Sequence, residues 1–219
     1  MITKNYTFNF DTKIDQEDHL KKLISKAYLK NQKFFGQDVS GVQINFLYTH
    51  SQMDKACGQK TPDWLVGYAK NKQIFIFSPS VIDQVSSHPA SDFLPTLTHE
   101  LAHIFSNQLL NFYYPIWLYE GLAGNIAKQY KLRKIKTLTP FAKLHDHKNW
   151  NQNPNYPQSY SFTKYLIDSF GKETIIDFLK QLPEAIGRHH YPKGFSNFFV
   201  QYFRIDFDEF IQQWARTHR

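Results

Sequence analysis

Residues 97–105 read LTHELAHIF, and within them HELAH sets two histidines four positions apart with a glutamate beside the first. The spacing acquires meaning on a helix. At 3.6 residues per turn, His99 and His103 leave the same face one turn apart, while Glu100 is turned about 100° from His99. Phe93, Leu97, Leu101, Ile104 and Phe105 supply apolar faces that would pack this helix inside a domain. Ser91 and Asp92 offer capping oxygens, and Pro95 is tolerated only within a first turn. The helix is therefore predicted to start between Asp92 and Pro95 and to run to about Leu110.

Two imidazoles one turn apart can reach one ion at about 2.0–2.1 Å each, as zinc requires. Glu100 does not sit in line as a third ligand. It lies beside such an ion, where it can take a proton from water and pass it to a leaving amine. The pentapeptide alone leaves two readings open, a metal site and a pair of hydrogen-bonded helix histidines. A catalytic zinc site needs a third protein ligand, and 16 residues separate His103 from Glu120 in YPIWLYEGLAGNIA, residues 114–127. A second helix, starting near Pro115 and continuing to about Tyr130, can return antiparallel and bring that carboxylate to the ion. Gly121 and Gly124 are poor residues for a helix interior, and they are expected to let this helix approach the HELAH helix closely.

HELAH followed by PIWLYEGLA resembles the gluzincin metallopeptidases, most closely the minimal peptidase MA-like domain, in its order of Pro, Trp, Glu-Gly and a small residue. GYAKNKQIFIFSP, residues 67–79, resembles the hairpin before the metal helix, whose edge strand in that family lies along the cleft. YPQSYSFTKYLIDSFG, residues 156–171, resembles the next helix, and FRIDFDEFIQQWA the terminal one. The likeness covers roughly residues 41–216, with the HELAH and WLYEGLA blocks its most specific parts. It implies zinc ligation by His99, His103 and Glu120, with Glu100 as general base for a zinc-activated water attacking a peptide carbonyl. A further donor usually steadies the tetrahedral oxyanion, and Tyr156 and Tyr160 are the candidates at a loop-to-helix junction. In a chain so rich in tyrosine, both also suit ordinary packing.

Two departures from the family matter. Thermolysin-like gluzincins carry an aspartate one turn after the ligand glutamate, where this chain has Gly124 with Asn125 next to it. The Gly-Ala-Met-Glu-Asn motif of gluzincin aminopeptidases is missing from the hairpin, so nothing visible anchors a free substrate N-terminus. An endopeptidase acting on peptide or protein substrates is the expectation. A zinc-binding interaction domain without catalysis is the alternative, and intact Glu100 argues against it.

The rest of the chain sets the frame. Its 219 residues, 42% hydrophobic and 21% charged, suffice for a buried core and are expected to form one domain, an α/β part over 1–90 and a helical part over 91–219. The predicted class is α+β, a small N-terminal sheet with a hairpin edge strand followed by helices. Strands are expected over residues 4–10 and 41–49, and a hairpin over 64–69 and 73–77 around Lys70-Asn71-Lys72. A first helix runs from a cap at Asp15 to about Phe34, with Gly36 as its stop. Residues 137–157, rich in His and Asn, read as an extended loop in which His145 and His147 are solvated. Helices follow over 159–170, 172–182, 194–203 and 207–217.

Aromatics make up 17% of the chain and can fill a core or line a groove that favours apolar side chains. The net charge of +7 is a long-range field only. The densest basic run, KQYKLRKIK at 128–136, reads as a solvated helix end and a short strand, with no stacking platform for nucleic acid. One cysteine, Cys57, excludes an intramolecular disulfide and a cysteine-based zinc knuckle, and is expected to be a buried or semi-buried small apolar residue. MITKNYTFNFDTK has no apolar core of a signal peptide, and no run of 18 apolar residues occurs, so a cytoplasmic protein is expected, or a secreted one if a signal peptide has been removed. A monomer with neither a membrane nor a nucleic-acid partner is expected. His189 and His190 read as surface residues.

Overall fold

Val42, Ile44 and Phe46 are buried while Gln43 between them is exposed, the period-two pattern of a strand with one face on a core. This strand, β2 (Val42–Leu47), lies inside a four-stranded sheet in a computed structural model that describes residues 6–9, 17–131, 134–152, 155–186 and 193–217. With β1 (Tyr6–Asn9), β3 (Gly67–Lys70) and β4 (Gln73–Phe77), the order is β1-β2-β4-β3. The β1–β2 and β2–β4 pairs are parallel, and β3 is an antiparallel edge strand hairpinned to β4. Helices dominate the C-terminal part, so the class is α+β. The chain divides into two compact units, Met1–Leu109 and Leu110–Arg219.

In the first unit, α1 (Glu17–Phe35) buries Leu20, Ile24, Ala27, Tyr28, Asn31 and Phe35 along one stripe. It ends where Gly36, at φ 70°, returns its N–H to the Gln32 carbonyl. Asp15, expected as its cap, lies outside the described residues, as do His189 and His190. A short helix, α2 (His50–Cys57), stands where none was expected. Thr49 and Gln52 form a reciprocal capping box at its start, and Gly58 closes its end at φ 73°. After the short α3 (Ile82–Val85) comes α4 (Phe93–Leu110), the HELAH helix, within the predicted bounds. Every residue from Leu97 to Ser106 is buried. Phe105 packs against Tyr28 and Phe35 of α1, and Phe93 against Phe46 of β2. Burying side chains of this size contributes on the order of 1.5–3 kcal/mol each.

In the second unit, α5 (Ile116–Ile126) stops short of the expected Tyr130, and Lys128 turns left-handed at φ 62°. The expected strand within 128–136 is absent among the described residues. Gln129–Lys131 form a tight turn instead, and the described residues of the run pair with no strand of the sheet, so they have no ladder. The expected long loop is shorter than its composition suggests. The Asp146 carboxylate accepts the Asn149 N–H at 2.7 Å and starts α6 (His147–Gln152), while Asn155 caps α7 (Tyr156–Phe170). The remaining polar chain is pinned by Gln158, whose side-chain amide bonds both the N–H and the C=O of Thr139 at 2.7 Å. Three helices complete the unit: α8 (Lys172–Ile186), which continues a turn past Pro183, α9 (Lys193–Phe203) and α10 (Phe207–Arg216).

Most of the buried aromatic rings among the described residues lie in this unit. Trp117 of α5 meets the rings of Phe141, Phe162, Phe195 and Phe207 at 4.9–6.0 Å. Trp214 of α10 joins the cluster through Phe162 and bonds Ser161 Oγ through its indole N–H.

Candidate metal centre

The helix spacing of HELAH does what its period requires. His99 and His103 are 6% and 7% exposed, and their rings stand edge to face with centroids 4.7 Å apart. His99, His103 and Glu120 each offer one ligand atom, and the three atoms lie within 4.8 Å of one another. In a tetrahedral site with bonds of about 2.0–2.1 Å, donor atoms sit about 3.4 Å apart, within reach of small side-chain rotations. Two imidazoles and a carboxylate are also a donor set that divalent transition metals accept. The residues therefore fit a metal ion, and Glu100 is outside the group as its helical offset predicts.

The helix carrying the histidines is tied just ahead of them within its own unit. Asn31 of α1 is fully buried, and its side-chain N–H group donates to the carbonyls of Ala27 and of Thr98, each at 3.0 Å. Thr98 is the residue before His99, and its hydroxyl bonds the Leu94 carbonyl one turn back. This anchor was not legible in the sequence, since Asn31 and Thr98 lie 67 positions apart.

Glu100 is 8% exposed and lies against the edge strand. A β-carbon placed on Gly67 would come within 3.0 Å of Glu100 Cγ and 2.9 Å of Thr96 Cγ2. The carboxylate's field reaches neighbours in the same unit. Burial raises the pKa of the Cys57 thiol, Asp54 and Glu100 add to the rise, and Lys70 opposes it. Burial likewise raises the Tyr68 hydroxyl, with Cys57 and Glu100 adding. Cys57 is free and partly buried, as expected.

Glu120 is half-buried in the second turn of α5. The helix start is satisfied by main chain, since Ile116 and Trp117 donate to the His145 and Leu144 carbonyls. The role expected for the glycines is corrected. The atoms nearest to a β-carbon on Gly121 or Gly124 all belong to α7, and it is α7 that comes close. At Gly121 they are Thr163 Oγ1 at 2.0 Å and the Ser159 carbonyl at 2.7 Å; at Gly124 they are the Tyr160 ring at 2.2 Å. Small residues admit whichever backbone or ring lies opposite, and the sequence does not say which.

Tyr160 is 2% exposed, with its ring over Gly124, one turn beyond Glu120 on the same face of α5. Tyr156, the first residue of α7, is half-buried between Trp150 at 4.9 Å and Tyr160 at 5.9 Å. His145 is corrected from a solvated residue to a half-buried one, with Nε2 3.0 Å from Asp146 Oδ2 and Nδ1 at the Ala142 carbonyl; His147 is exposed. Asn125, named in the sequence only as the neighbour of a missing aspartate, has a definite job. Its Nδ2 donates to the Gly121 carbonyl at 2.9 Å and to the Tyr160 carbonyl at 2.7 Å.

Among the described residues no helix is long and apolar enough to cross a membrane. No protein-family model matches the sequence, and no curated protein matches it. The chain is thus defined by its own geometry, an α+β fold whose His99, His103 and Glu120 can hold a metal ion.

Proposed function

We propose that this chain is a zinc metallopeptidase of the gluzincin type that cleaves internal peptide bonds. The observation that carries the reading is the convergence of His99, His103 and Glu120 with Glu100 next in sequence but outside the ligand group. Bound there, zinc supplies Lewis acidity toward a carbonyl and toward water. Glu100 takes the proton of the attacking water on a carboxylate oxygen and delivers it to the departing amine nitrogen. Its burial against Gly67 keeps bulk water from competing for that carboxylate.

The edge strand supplies a place for an extended substrate. The Phe77 N–H bonds the Val66 carbonyl, so by antiparallel alternation the main-chain groups of Gly67 and Ala69 point away from β4. A peptide can pair with them as an added strand, beside Glu100. Tyr160, and with it Tyr156, remains the candidate for steadying the oxyanion.

Metal analysis of the purified, zinc-reconstituted protein tests the first half, with about one zinc per chain expected. A panel of quenched peptides then compares the wild type with Glu100→Gln. Loss of cleavage with retained zinc supports the peptidase, and equal rates from the two proteins sink it. Tight zinc binding with no cleavage of any peptide makes the chain a zinc-binding interaction domain instead.

A further inference from the structure

We infer that Asn125 is a positioning residue for the metal centre, holding the turn that carries Glu120 against α7. The inference rests on the metal-site reading and assigns a residue the ligand pattern does not contain.

The arrangement has three parts within one unit. Gly121 and Gly124 remove the side chains that would separate α5 from α7, so the two backbones approach at the turn following Glu120. Asn125 then spans the approach. One amide nitrogen bridges the carbonyl of Gly121, the residue after Glu120, and the carbonyl of Tyr160 in α7. Helix-interior carbonyls already accept one backbone N–H, so this donation adds to the ladder and ties the two helices together. The same bond fixes the main chain of Tyr160, whose ring covers Gly124.

A ligand carboxylate gains affinity when its helix is held before the ion arrives, because the ordering cost is already met. Residues that orient ligands without touching the metal typically change affinity by about 10–100-fold when removed. Asn125 donates to carbonyls only, so its removal acts through the placement of Glu120 and not through charge.

The test uses the full chain with Asn125→Ala, which removes the donor without adding charge, and Asn125→Asp, which keeps the shape but replaces the donor with a carboxylate. The alanine variant has the higher helix propensity, so it decides the matter if the aspartate variant does not fold. Zinc affinity is measured by chelator competition, cobalt substitution reports ligand geometry by its visible absorption, and metal-free melting reports stability. The expected result is a loss of about 10-fold or more in zinc affinity with an altered cobalt spectrum. A wild-type affinity and spectrum in a folded variant overturn the inference, even if melting drops, because that is what a purely structural tie would give. Failure of the underlying reading looks different, since the wild type would then bind no zinc at all.

Discussion

Gly67 and Glu100 share one small volume: a β-carbon on the glycine would lie 3.0 Å from Cγ of the glutamate and 3.4 Å from its Oε1. Gly67 is not in the left-handed region, so alanine is allowed there by its backbone and excluded only by its neighbours. Thr96 Cγ2, at 2.9 Å, is held on a stiff β-branched side chain, which leaves Glu100 to move. On the proposed function, zinc binding in Gly67→Ala is expected to persist while peptide cleavage falls by about 10–100-fold, because the carboxylate proposed to transfer the proton is displaced by up to about an ångström. Parallel zinc titration and cleavage assays check this, and an unimpaired Gly67→Ala enzyme would place the general base elsewhere.

Asn31 faces two carbonyl oxygens in a site without solvent. Asn31→Asp puts a carboxylate there with nothing to donate to it, an expected loss of about 3 kcal/mol or more. Asn31→Leu removes the tie but adds no charge, and its cost should be nearer 1–2 kcal/mol, about that of a hydrogen bond. Urea unfolding of both variants followed by circular dichroism would separate them, and equal losses would mean that the tie to Thr98 is not what the site provides.

Gly121→Ala tests the approach of α5 to α7. Its β-carbon would sit 2.0 Å from Thr163 Oγ1 and 2.7 Å from the Ser159 carbonyl oxygen. Overpacking of this kind costs about 1–3 kcal/mol, and more where a backbone atom must yield. Adding Thr163→Ala removes the hydroxyl but not the Ser159 carbonyl, so the double variant should recover only part of the melting temperature. Full recovery would show that the main chain of α7 can retreat.

Asp54 accepts hydrogen bonds from Lys60 and from the Thr61 hydroxyl and N–H, which hold its carboxyl at about 2 against an ordinary 3.8. A depressed folded-state value stabilises the fold above the ordinary one and loses that contribution as pH falls toward about 2. The melting-temperature gap between the wild type and Asp54→Asn should therefore shrink on acidification below pH 4 or so. Tyr202 has the opposite sign. Burial and its 2.6 Å bond to Asp177 push its hydroxyl up from an ordinary 10.0 to about 12, so its contribution is whole below the ordinary value and is lost as pH rises from there through about 12. Ultraviolet titration of the wild type against Tyr202→Phe should reveal one tyrosine ionising late.

The parts of the site that follow from local period were legible. His99 and His103 were placed on one face by the helix repeat, and Glu120 was marked by its position in a second apolar segment. The strand alternation at Val42–Leu47 and the hairpin around Asn71 were equally local. Helix α2 was legible in principle, because Thr49, Gln52 and Gly58 spell its start and stop, but its short polar sequence lacks an apolar period. Helix α6 rests on the single carboxylate of Asp146 and was hidden among Asn and His. What the sequence withheld was non-local. Nothing near Asn125 names Tyr160 as its partner, nothing near Gln158 names Thr139, and the glycines of α5 announce a close neighbour without saying that it is α7.

The aromatic core described for the second unit has a spectroscopic consequence. Of the four tryptophans, Trp117, Trp150 and Trp214 are buried in that unit, whereas Trp64, the one in the first, is 48% exposed. Tryptophan emission shifts to the red when an indole leaves an apolar surround for water. The fluorescence of this protein thus reports melting of the second unit almost alone. Circular dichroism weighs the helices of both, so comparing the two melting curves reads out whether the half that carries the histidines and the half that carries Glu120 lose their structure at one temperature or two.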